Sequence, residues 1–144
     1  MRNAHHKGAR RLARELALQG IYAWLLSGNK YKNVNEIHDD IHDNGKSNLI
    51  DNDWFKILIN GVLDNHDLLC EKFTPYIDRS LDSISPVEYA ILLMGSFELI
   101  NHIEIPYKVT INEAVELAKS FGGTDGFKFI NSVLDKLASD IRNS

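Results

Sequence analysis

Four basic side chains near the start of the chain, Lys7, Arg10, Arg11 and Arg14, stand at i, i+3, i+4 and i+7. At about 100° per residue, a helix gathers that spacing into one stripe, opposite a Leu12/Leu16 face. Such a stripe can follow a sugar-phosphate backbone, each guanidinium gripping phosphate oxygens with a planar fork. The competing reading is a solvated helix face paired with carboxylates elsewhere in the chain. A second constellation is the turn Phe121-Gly122-Gly123-Thr124-Asp125-Gly126-Phe127-Lys128-Phe129, where two helix ends meet. The later helix offers N–H groups and the positive end of its dipole to an anion. Phe129 falls off the apolar ridge of Phe127, Ile130 and Leu134, which leaves it able to stack on a base, with Lys128 adding charge beside it. The alternative is a plain helix–helix connection with its phenylalanines in the core.

Other reactive side chains carry weaker patterns. His38 and His42 are four apart with Asp39 between them, a spacing found on zinc-binding helices, yet no third ligand is apparent. Cys70 sits among Leu68, Leu69 and Phe73 and reads as a small core residue rather than a nucleophile. Neither a GxxxxGK[ST] phosphate loop nor a GxSxG elbow occurs. No catalytic residue, metal site or cofactor is expected, and the chain does not read as an enzyme.

The charge is polarised. Across 144 residues the formal net charge is −4, but residues 1–14 carry five basic side chains and no acid, leaving −9 on the rest. A basic arm on an acidic body suits one anionic partner at one end. A single cysteine excludes an internal disulfide framework. The opening MRNAHHKGAR lacks the apolar run of a signal peptide, and no stretch approaches about 18 consecutive apolar residues. A cytoplasmic protein with no membrane association is expected.

The elements that must position these residues are helical throughout. Leu12, Ala13, Leu16, Gly20 and Ala23 share a face between Ala9 and about Leu26. Val34, Ile37 and Ile41 form a thin ridge over 33–46. A helix resumes from Asp51 through Trp54, Phe55, Leu58, Ile59 and Val62, and another runs through Leu68, Leu69 and Phe73 to end near Pro75. Ser85-Pro86-Val87-Glu88 is a capping box with proline at the first helical position. The helix it opens is apolar almost all round, as a central helix must be. Thr110-Ile111-Asn112-Glu113 reads as a second capping box, and Gly122-Gly123 as its helix's end. Thr124 or Asp125 can cap a last helix through Phe127, Ile130, Leu134, Leu137 and Ile141. The fold class is all-α, with about seven helices.

The chain resembles the NusB family of bacterial transcription antitermination factors along nearly its whole length. The resemblance rests on Ala9-Arg10-Arg11-Leu12-Ala13-Arg14-Glu15-Leu16-Ala17-Leu18-Gln19, on Val87-Glu88-Tyr89-Ala90-Ile91-Leu92, and most specifically on the run from Pro106 to Lys136. It implies two packed three-helix subdomains, about 1–80 with the arginine-rich first helix and about 81–144. It also implies binding of the single-stranded boxA element of ribosomal-RNA leaders, together with the ribosomal protein NusE. The pair joins RNA polymerase and other Nus factors to suppress termination. Carried onto this chain, the RNA-binding residues are Lys7, Arg10, Arg11 and Arg14, with Gly122, Asp125, Lys128 and Phe129 as a second surface, and Glu88 falls on the NusE side. Leu12 replaces a frequent third basic residue, while Leu93 and Phe97 replace an arginine and a tyrosine common in the central helix. A purely protein-binding helical adaptor, its basic stripe docked on an acidic partner, is the alternative.

Overall fold

The computed structural model describes residues 8–27, 51–123 and 125–142; the thin helix expected over 33–46, with His38 and His42, lies outside them, as does Lys7. Among the described residues there are six α-helices, two 3₁₀ turns and no strand. The chain divides into two compact units, Met1–Leu63 and Asp64–Ser144.

In the first unit, α1 (Ala9–Leu26) buries Ala13, Leu16, Ala17, Leu18, Ile21 and Trp24. Helix α2 (Asn52–Asp64) buries Trp54, Phe55, Leu58, Ile59 and Val62, the ridge its spacing announced. Each large apolar side chain so buried contributes about 1.5–3 kcal/mol. Asp51 starts α2: its Oδ1 accepts from Trp54 N–H at 2.9 Å and its carbonyl accepts from Phe55 N–H at 3.0 Å. Its own N–H donates to the Ala9 carbonyl at 3.1 Å, which ties the head of α2 to the head of α1.

In the second unit, α3 (His66–Phe73) buries Leu69 and Phe73 and tightens into a 3₁₀ turn at Thr74–Tyr76; another 3₁₀ turn follows at Leu81–Ser83. Helix α4 (Pro86–Asn101) opens with the expected capping box and is buried without interruption from Ala90 to Leu99. It packs against α3, α5 (Tyr107–Phe121) and α6 (Gly126–Arg142). Leu93 and Phe97, where the family's polar residues would stand, are both inside this core. Arg142 closes the end of α4: Nε donates to the Leu99 carbonyl at 2.9 Å, Nη1 to Ile105 at 3.1 Å and Nη2 to His102 at 3.2 Å. These carbonyls have no intrahelical partner, so a planar cation satisfies them together.

The second capping box does not form. Helix α5 starts three residues earlier than Thr110, at Tyr107, with Pro106 as its cap. The Pro106 carbonyl accepts from the N–H groups of Val109 and Thr110, and the buried Thr110 hydroxyl donates to Glu98 Oε1 at 3.2 Å. Proline's fixed φ sets up the turn first, so the threonine is used for packing.

Candidate nucleic-acid interface

The first-unit site is built on an aromatic ring. The Arg10 guanidinium carbon lies 4.2 Å from the centroid of the Trp54 ring, and that of Arg14 lies 5.6 Å from it. Asp51 Oδ2 stands 3.8 Å from Arg10 Nε, so the carboxylate that starts α2 also steadies the cation over the indole. The two arginines differ sharply in exposure. The Arg10 side chain is 50% exposed, whereas Arg14 as a residue is only 5% exposed. Arg14 therefore departs from the exposed stripe expected of it, and Arg11 beside it is half-buried. The reason is legible in hindsight: Arg14, Ala17, Leu18 and Ile21 are themselves at i, i+3, i+4 and i+7, the buried face of α1. A guanidinium on this face lies over Trp54, which is 2% exposed, close enough for cation–π attraction.

The second-unit surface is also aromatic and cationic. Helix α5 ends at Phe121, and Gly123 takes the left-handed φ of 87° that turns the chain toward α6. Phe121 is 45% exposed, Gly122 partly exposed, and Asp125 and Lys128 exposed; Phe127 and Phe129 are half-buried. Neither ring is bare. Lys119 Nζ lies 5.3 Å and Lys128 Nζ 6.0 Å from the Phe127 ring, and the Arg79 guanidinium carbon lies 3.9 Å from the Phe129 ring. Lys119 is paired with Glu116 at 3.6 Å and Lys128 with Asp125 at 3.8 Å. Sequence reasoning did not find Arg79, Lys119 or the exposure of Phe121. Lys119 and Phe121 could have been found from their place beside the glycine turn; Arg79, in a segment without periodicity, could not.

Glu88 has a task within the chain. It is 8% exposed, its Oε1 accepts from Ser85 N–H at 3.1 Å, and Ser85 Oγ accepts from Glu88 N–H at 3.1 Å. Its other oxygen lies against the first residue of α6: a Cβ on Gly126 would sit 3.2 Å from Glu88 Oε2. The missing side chain lets a carboxylate approach the positive end of α6, where an external anion was expected to bind.

Further along the second unit, Cys70 faces an open groove of about 640 Å³ lined by His66, Asp67, Cys70, Glu71, Thr74 and Pro75, so it is not the core residue expected. His66 bridges Asp67 and the Tyr89 hydroxyl, each at 2.9 Å. Burial pushes the Tyr89 phenol well above its usual range, assisted by its hydrogen bond to Cys70 and the charges nearby. Among the described residues, no group of three or more His, Cys, Asp and Glu is placed to hold a metal ion. No helix among them is long and apolar enough to cross a membrane.

Fold and site together define a small all-helical protein that lays cations on aromatic rings. The comparisons give its family. The NusB family model matches residues 11–139. Transcription antitermination protein NusB of Bordetella pertussis is 58% identical over 98% of this chain and 92% of its own length. The protein of the same name in Cupriavidus pinatubonensis is 49% identical over 96% and 81%. The solved structure of T. maritima NusB superposes with a TM-score of 0.79 at 26% identity, covering 93% of each chain. The chain belongs to the NusB family of transcription antitermination proteins.

Proposed function

We propose that this chain is a non-enzymatic adaptor that binds boxA-type single-stranded RNA together with the ribosomal protein NusE. The pair then joins RNA polymerase and other Nus factors in the cytoplasm and keeps transcription of ribosomal-RNA operons processive. No cofactor or metal takes part. The observation that carries this reading is the exposed Arg10 guanidinium, held by Trp54 and Asp51 within an arm of five basic side chains and no acid. Lys7, Arg10 and Arg11 supply sequence-blind attraction to phosphates, with Arg14 supporting them from beneath. Selectivity comes from bases splayed against the turn of Gly122, Asp125 and Lys128, with Phe129 serving as the ring beneath its cation. Glu88 serves the NusE side by holding the corner between α4 and α6 in shape.

The test is a titration of labelled boxA-like RNA and a scrambled strand of equal length, with and without NusE. The boxA strand binds more tightly than the scrambled one, NusE tightens it further, and RNA tightens the protein pair by the same factor. Equal affinities for both strands, unchanged by NusE, refute the proposal. NusE binding with no RNA binding selects the protein-only adaptor instead.

A further inference from the structure

We propose that Arg79 is a phosphate-binding residue of the second-unit surface, its guanidinium held over Phe129 so that its N–H groups meet the backbone of the single strand. This rests on the RNA reading above. The guanidinium carbon sits 3.9 Å from the ring centroid, the distance of a close stack. The same stack covers one face of Phe129, so a base cannot lie on that face while Arg79 occupies it. What the surface presents there is the guanidinium.

Three cations lie over the two rings of this turn, and their partners differ. Lys119 and Lys128 each have a carboxylate within ion-pair distance, Glu116 and Asp125. Arg79 is exposed and has none among the described residues, although Asp78 and Asp82 are near it in sequence. An exposed arginine with one face packed and no carboxylate partner among the described residues is prepared for an oxyanion. Its fork is already oriented, so less side-chain entropy is lost when phosphate oxygens accept from it. In a body of net charge −9, a guanidinium with no carboxylate partner among the described residues, beside the family's expected RNA surface, favours an anionic strand.

The experiment measures binding of labelled boxA-like RNA at several salt concentrations for the full-length protein and the variants Arg79→Ala, Arg79→Lys and Phe129→Leu. Arg79→Ala weakens binding about tenfold and makes the log-affinity against log-salt slope shallower by about 0.7, one single-strand phosphate contact. Arg79→Lys keeps the slope but recovers only part of the affinity, because an ammonium lacks the planar fork. Phe129→Leu weakens binding by itself and adds little in the Arg79→Ala background, since both act through one stack. Wild-type affinity and slope in Arg79→Ala, while the Arg10→Ala/Arg11→Ala double variant is weakened, overturns the inference and leaves the RNA reading standing. Lost NusE binding with unchanged RNA binding also overturns it. A wild-type protein that ignores both strands at low salt removes the inference and the RNA reading together.

Discussion

Each compact unit lays a guanidinium on an aromatic ring, and the two stacks do different work. In the first, Trp54 is buried, Arg14 is buried with it, and Asp51 ties Arg10 to the head of α2. In the second, Phe129 is half-buried, Arg79 is exposed, and no described carboxylate is in ion-pair range of Arg79. Cation–π attraction is common to both, so the difference lies in burial and in the neighbouring charge. Where the ring is inside, the stack holds helices; where the ring is at the surface, the stack holds out a cation. Arg10 is intermediate, since its ring is buried and its own side chain is half-exposed.

The largest expected effect breaks the first stack at its ring. Trp54→Ala costs about 3–5 kcal/mol in urea denaturation, from the lost apolar burial and the cavity left behind. A cost below about 1 kcal/mol would remove Trp54 from the account. Next, Arg14→Ala costs about 1–3 kcal/mol, because its stem is buried and its guanidinium lies over Trp54. Arg10→Ala stays within about 0.5–1 kcal/mol, as expected for a screened, half-exposed ion pair. The reverse ranking would contradict the assignment of one arginine to structure and the other to binding. In the second unit, Arg79→Ala changes stability by no more than about 0.5–1 kcal/mol, the worth of an exposed cation–π pair. A larger loss in thermal melts would make Arg79 a structural residue like Arg14.

The smallest effect concerns a half-buried group of the second unit, a counterpart to its exposed stack. Tyr89 is held neutral by burial, with its phenol raised above the usual value of 10. Above pH 10 the unfolded chain loses this proton while the folded protein keeps it. Stability therefore falls as pH rises beyond that point. Tyr89→Phe flattens this alkaline decline in pH-dependent denaturation, and an unchanged decline would assign it to other groups.

The legible parts of the fold were those set by neighbours in sequence. Ser85-Pro86-Val87-Glu88 contains its own hydrogen-bond partners, so its capping box forms as read. Thr110 carries a similar local pattern, but the carbonyl of Pro106 and the buried Glu98 decide its role, and the pattern misled. The candidate site divides in the same way. Arg10, Asp125 and Lys128 are exposed because each lies on a helix end or turn that faces solvent. Arg14 satisfied the stripe's arithmetic and equally satisfied that of the buried face; only the position of Trp54 on another helix chooses between them. Arg79 depends on Phe129, far along the chain, and no periodicity in its own segment points there.

The most direct test is the salt dependence of boxA-like RNA binding for the wild type and the Arg10→Ala/Arg11→Ala variant. Replacing two cations should make the log–log slope shallower by about 1.4 and weaken binding at low salt, with helicity by circular dichroism unchanged. A variant that keeps the wild-type slope and affinity would contradict the claim that the arginines of the opening helix hold the transcript.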